Sequence, residues 1–283
     1  MSLTRTEPVP GYPILEIDHP AATGRVALHG AQLLEWTPSG HAPVIYLSPD
    51  AVFEAGQPIR GGIPLCWPWF GPHPTDPALP SHGFARLQFW ELASHTEDET
   101  GVRLVFTLMD SPATHFLWPH AFHLKVEMHL GAELHLALRM TVPGPDPCAV
   151  SAALHTYFHT ADIHQTRITG LDGVPYHEKI TTPPDHLQQG DITFDREVDR
   201  LYAGGGPVQI HDAALPRTLT IEGAGSQSTV IWNPWINKSK MLTDLPDDAY
   251  LRFLCVEPTN AGADALTLAP GAAHTLATTV RVS

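Results

Sequence analysis

Short runs rich in Val, Ile, Leu, Thr and aromatic residues follow one another along this chain. Where polar residues enter them, they tend to do so at every second position. That is the period of a strand with one face buried and the other wet. The stretch from 122 to 130 shows it: Leu124, Val126 and Met128 alternate with Lys125, Glu127 and His129, and residues 133–142 follow across Gly131-Ala132. The two read as a hairpin. Residues 12–17, 24–29, 32–37 and 44–47 are predicted strands. The pairs 218–222 with 229–233 and 265–268 with 275–282 flank Gly-rich or Pro-Gly turns, which predicts two more hairpins. The chain's 28 prolines and 22 glycines punctuate these runs and leave no room for long helices. The predicted fold class is all-β: a large antiparallel β-sandwich with its site on one concave face.

Composition narrows the picture. A chain of 283 residues with 43% hydrophobic content can bury a large core, and no break in composition separates two parts, so residues 1–283 are expected to form one domain. The formal charge of −14 excludes nucleic acid and anionic membrane as expected partners, since both require a basic face. Cys66, Cys148 and Cys255 lack metal-site spacing and are expected to stay reduced. The first residues lack a signal-peptide apolar run, and no stretch approaches the roughly 20 apolar residues that span a bilayer. A soluble, cytoplasmic protein acting as a monomer is the expectation.

Chemistry concentrates in three segments. In Arg60-Gly-Gly-Ile-Pro-Leu-Cys-Trp-Pro-Trp-Phe-Gly71 and Ser81-His-Gly-Phe-Ala-Arg86, glycines allow close backbone approach and prolines stiffen the course. Arg60 and Arg86 offer planar donor forks suited to phosphate or carboxylate. Gly61-Gly62 is not a P-loop, because the lysine and helix that should follow are missing. The second segment, Ala149-Val-Ser-Ala-Ala-Leu-His-Thr-Tyr-Phe-His159, reads as a strand that puts Ser151, Ala153, His155, Tyr157 and His159 on one face. His155 and His159 would then lie about 13 Å apart, too far to share a metal ion. The third, Tyr250-Leu-Arg-Phe-Leu-Cys-Val-Glu-Pro258, reads as an apolar strand ending at Glu257, a position that calls for a partner or a function. Two weaker segments add Trp235 as an indole platform near Lys238 and Lys240, and Asp199 beside Arg200.

These segments, with Trp118-Pro-His-Ala-Phe, Leu171-Asp-Gly and Trp232-Asn-Pro-Trp, follow an order and spacing that resemble the hexose-6-phosphate mutarotases (glucose-6-phosphate 1-epimerases) of the aldose 1-epimerase superfamily. The resemblance covers almost the whole chain. It implies a galactose-mutarotase-like supersandwich that interconverts the α and β anomers of a phosphorylated aldohexose, with no cofactor and no metal. By match of motif, His155 resembles the family's general acid and Glu257 its general base. Arg60, His82, Arg86 and Asp199 resemble its substrate-binding residues. Ser81 departs from the glutamine common at that position, which shortens or removes a sugar-hydroxyl contact. Two other readings stay open: a non-catalytic carbohydrate-binding or sugar-phosphate-sensing protein on the same fold, and a mutarotase for an unphosphorylated aldose.

Overall fold

The alternation over residues 122–142 is realised as two strands, His123–Gly131 and Leu134–Thr141, paired without interruption from His123↔Thr141 to Leu130↔Leu134. Leu124, Val126, Met128 and Leu130 are fully buried. The structure, a computed structural model, describes residues 2–182 and 184–283.

This hairpin sits inside an eight-stranded antiparallel sheet ordered Thr166–Thr169, Val208–Asp212, Arg217–Ala224, Ala273–Val282, Leu134–Thr141, His123–Gly131, Gly101–Met109 and Glu91–Asp98. A second eight-stranded sheet runs Asp185–Leu187, Pro175–Glu178, Val198–Tyr202, Ser228–Asn233, Phe253–Asn260, Ala152–Leu154 and Leu65–Cys66, with Tyr157–His159 also pairing to Phe253–Asn260. A four-stranded meander (Leu3–Val9, Tyr12–His19, Ala22–Ala27, Gln32–Pro38) and a small pair (Cys148–Val150 with Leu266–Leu268) complete it. The first sheet is the shared layer. Its Ala273–Val282 strand packs on the second sheet, and its Gly101–Met109 and His123–Gly131 strands pack on the meander. The Trp36 indole N–H, donating to the Gly131 carbonyl at 3.1 Å, ties meander to sheet. One apolar cluster contains Trp36, Val126, Leu138, Leu254 and Val280 and so runs through all three layers. This is the antiparallel sandwich that the period-2 pattern predicts.

Local expectations fail where a strand changes layers. Arg217–Ala224 and Ser228–Asn233 do not form a hairpin, because they belong to different sheets. Arg217–Ala224 alternates buried and partly exposed residues, whereas Ser228–Asn233 is buried on both faces and needs neighbours on either side. Nor do Leu266–Leu268 and Ala273–Val282 pair: the former joins Cys148–Val150, the latter Leu134–Thr141 and Arg217–Ala224. Residues 44–47 contribute only isolated bridges, Ile45↔Phe158 and Leu47↔Gly61. Among the described residues, no helix is long and apolar enough to cross a membrane.

Candidate active site

The second sheet supplies the floor of the site by simple register. Asp199 pairs with Trp232 and Trp232 with Cys255, while Leu201 pairs with Val230 and Val230 with Glu257. Directly paired residues point to the same face. On the next strand the ladder to Phe253–Asn260 breaks between Leu154 and Tyr157 but keeps one register on both sides of the break, Ala153↔Thr259 and Tyr157↔Cys255. His155 therefore stands opposite Glu257. The single strand predicted over residues 149–159 is thus three pieces: Cys148–Val150 pairs with Leu266–Leu268, after which the chain moves to Phe253–Asn260, and its ladder there is interrupted at His155 and Thr156 between Ala152–Leu154 and Tyr157–His159. Glu257 is mid-strand rather than at a strand end, since the strand continues to Asn260 and Pro258 pairs with Thr229 despite lacking an N–H.

His155 Nδ1 and Glu257 Oε1 lie 3.3 Å apart, with His155 7% and Glu257 0% exposed. His155 Nδ1 and both Glu257 carboxylate oxygens make no hydrogen bond. Buried polar atoms left unpartnered are costly in a fold, which points to a ligand that completes them. The imidazole is fixed by packing: it stacks on Tyr157 at 4.9 Å and meets Trp232 and His82 edge-on at 5.7 and 5.6 Å.

Around this pair lies a cavity of about 640 Å³ lined also by Arg60, Phe70, Ser81, His82, Arg86, Lys179, Asp199, Trp232 and Lys238. Arg60 donates from Nε to Asp244 at 3.1 Å and from a terminal nitrogen to the Tyr157 hydroxyl at 3.2 Å. Arg86, on the short turn Ala85–Leu87, donates to the Ser81 carbonyl at 2.9 Å while its buried Nε is unpartnered. The contact of Ser81 with a neighbour thus comes from its backbone. His82 adopts left-handed backbone (φ 64°) and is held from both sides by Gly71: its N–H donates to the Gly71 carbonyl at 2.7 Å, and its Nδ1 accepts from the Gly71 N–H at 3.3 Å. Non-glycine residues in that region concentrate at functional sites.

Gly61 and Gly62 serve the fold rather than a ligand. Both have positive φ, and a Cβ at Gly62 would lie 2.3 Å from the Leu33 carbonyl oxygen. The sequence also points to the wrong tryptophan. Trp235, in the helix Trp235–Ser239, packs on Tyr250 at 5.0 Å and His164 at 5.5 Å outside the cavity, and Trp232 lines it instead. The alternation of Val230 and Trp232 on one strand face could have indicated this. Lys179 and Asp244, the carboxylate partner of Arg60, carried no signal, because each arrives from a loop that only the tertiary fold brings near.

Burial pushes the Glu257 carboxyl well above the usual carboxylate range, with Lys179 and Arg86 pulling it back and Asp199 adding to the rise. Burial likewise pushes His155 well below its ordinary value, and the cationic neighbours Arg86, Arg60 and Lys179 add to that. His82 is lowered by the same causes. Cys255, beneath the pair, is kept a neutral thiol by burial and by Glu257. Among the described residues His155, Cys255 and Glu257 are the set whose ligand atoms, within 4.8 Å of one another, could take a metal ion. As it stands, the arrangement can bind an anion and move protons between two facing groups.

Comparison with known proteins agrees. The family model for aldose 1-epimerase matches residues 13–281. The chain belongs to the aldose 1-epimerase family. A Salmonella typhimurium relative, provisionally named glucose-6-phosphate 1-epimerase, is 39% identical over 252 residues, covering 88% of this chain and 84% of its own. A relative from Escherichia coli with the same name is 37% identical over 272 residues, covering 95% and 90%. A crystal structure of a provisionally named mutarotase from Salmonella typhimurium superposes on this epimerase-family chain with a TM-score of 0.93 at 36% identity, covering 100% of this chain and 94% of that one.

Proposed function

We propose that this chain is a hexose-6-phosphate mutarotase, working as a cytoplasmic monomer built as one aldose-1-epimerase-like domain. The observation that carries the reading is the His155–Glu257 pair, facing each other with unpartnered proton-handling atoms inside a cavity that also presents four cationic side chains. Arg60, Arg86, Lys179 and Lys238 outnumber the lining carboxylates Asp199 and Glu257, in a protein whose formal charge is −14. A local field of that sign suits an anionic substrate, and a phosphoryl group of about −1.5 to −2 charge matches it. The Arg60 and Arg86 forks are suited to its oxygens.

In this reading the sugar ring lies over the floor formed by Trp232, Val230 and Leu201. Glu257 accepts the proton of the anomeric hydroxyl, the C1–O5 bond breaks as C1 becomes an aldehyde, and His155 delivers a proton to O5. Rotation about C1–C2 turns the other face of the aldehyde to the O5 hydroxyl. Reclosure, with the two proton transfers reversed, yields the other anomer. The raised basicity of Glu257 favours the first transfer. Burial is the main cause that depresses His155; the cations Arg86, Arg60 and Lys179 add to it, and a bound phosphate that neutralises them moves the imidazole back toward its ordinary value and so toward acting as an acid. His82, tied to Gly71, and Asp199 hold sugar hydroxyls, and Ser81 supplies less reach than a glutamine would.

The test is anomer exchange followed by NMR on α-glucose 6-phosphate and on α-glucose. Exchange of the phosphate well above the buffer-catalysed rate, and more efficient than for glucose, is expected. Equal efficiency on both sugars favours an unphosphorylated substrate, and binding without exchange leaves a sugar-phosphate sensor.

A further inference from the structure

The four cavity cations are not equivalent. Arg60 is engaged by Asp244 and the Tyr157 hydroxyl, and Arg86 by the Ser81 carbonyl. Lys179 and Lys238 instead hold a carboxylate that itself lines the cavity. Lys179 Nζ is 2.9 Å from Asp199 Oδ1, and Lys238 Nζ is 3.8 Å from Asp199 Oδ2 and 2.9 Å from Glu197 Oε1. Both ammonium groups sit over aromatic walls of the cavity, Lys179 5.4 Å from the Phe70 ring centre and Lys238 5.9 Å from that of Trp232. Their side chains are 42% and 38% exposed, against 14% for Asp199. The lysines therefore stand at the mouth and the carboxylate deeper.

Three elements build this cluster. Lys179 follows the strand Pro175–Glu178 and is docked beside Asp199 by its own N–H, which donates to the Asp199 carbonyl at 3.0 Å; Asp199 lies on Val198–Tyr202; and Lys238 lies on Trp235–Ser239. Ion pairs this exposed are held weakly and yield to a stronger anion, and a phosphoryl group brings three acceptor oxygens and more charge than one carboxylate. Asp199, for its part, is a poor sugar ligand while its oxygens face two ammonium groups.

We propose that Lys179, Lys238 and Asp199 form an exchangeable latch that selects phosphorylated sugars. The phosphoryl group of the incoming hexose phosphate takes both ammonium groups, and Asp199, released, turns to accept hydrogen bonds from sugar hydroxyls. An unphosphorylated hexose brings nothing to take the lysines and must compete with them for Asp199. The latch rests on the hexose-phosphate reading but makes a separate demand: phosphate and Asp199 compete for the same cations.

Calorimetric titration of inorganic phosphate into the full chain tests that demand, alongside the ratio of kcat/KM for glucose 6-phosphate to that for glucose. Replacing both lysines (Lys179→Met with Lys238→Met) is expected to weaken phosphate binding and to lower the ratio, each about tenfold or more, as loss of charge-assisted bonds does. Asp199→Asn, nearly isosteric, removes the competing anion and is expected to tighten phosphate binding severalfold. The single lysine replacements, with intermediate expected effects, serve where the double one fails to fold. The latch is overturned if wild-type protein binds no phosphate, if the lysine variants keep both affinity and ratio, or if Asp199→Asn leaves phosphate binding unchanged or weaker. Absence of anomer exchange by wild-type protein that shows the expected phosphate pattern would instead sink the mutarotase reading alone.

Discussion

Replacing Glu257 by Gln keeps volume and shape and removes only the capacity to ionise. No other carboxylate can take over. Asp199, the second one lining the cavity, stands two strands across and two residues along the same sheet, roughly 12 Å away at ordinary strand spacings. A positioned base is worth on the order of 10²- to 10⁴-fold, or about 2.7–5.4 kcal/mol of barrier, so anomer exchange should slow by that factor with KM little changed. The acid limb of the wild-type kcat/KM profile should lie above pH 4.5, because burial raises this carboxyl above that ordinary value, and it should vanish in the variant. Stability moves the other way. The folded-state pKa exceeds the unfolded one, so the folded protein holds this proton more tightly. The stabilisation it contributes is full below the unfolded value and is lost as pH rises through the folded one. Glu257→Gln should therefore melt higher than wild type at pH 8 and show little or no gain at pH 4, read by calorimetry beside the NMR exchange assay. A variant that exchanges anomers within threefold of wild type would refute the assignment of Glu257 as base. One that melts lower at pH 8 would refute the claim that its buried charge is unfavourable.

Other residues give independent checks. Tyr157→Phe removes the hydroxyl that receives the Arg60 guanidinium but keeps the ring under His155, so kcat/KM on glucose 6-phosphate should fall about tenfold without a comparable loss of thermal stability. Gly83→Ala would set a Cβ 2.0 Å from the Trp67 carbonyl oxygen at a backbone φ of +72°; the cost should exceed the ~1–2 kcal/mol of a left-handed backbone alone, visible as a Tm drop of about 2–4 °C per kcal/mol. Glu178→Ala breaks a buried pair with Arg200 (2.7 Å) and the acceptor of the Asp199 N–H, and urea unfolding should register a loss of about 3–5 kcal/mol.

What the sequence determined by itself was whatever depends on short-range periodicity and side-chain chemistry. The alternation at Leu124, Val126 and Met128 forced a half-buried strand, because two-residue periodicity admits no other face to bury. Arginine, histidine and glutamate inside apolar segments marked Arg60, Arg86, His155 and Glu257, since such groups are costly to bury without a purpose. Tertiary structure decided whatever depends on which strands meet. Residues 217–224 and 228–233 look like a hairpin locally, but burial of Ser228–Asn233 on both faces draws it into the other sheet. That same sheet sets His155 opposite Glu257, about a hundred residues apart in sequence, and puts Trp232 rather than Trp235 in the cavity. Register also brings Asp199 to the same face, and loop and helix then carry Lys179 and Lys238 to it. No local pattern encodes that meeting, because the pairing energy lies in contacts between segments that each read as ordinary alone.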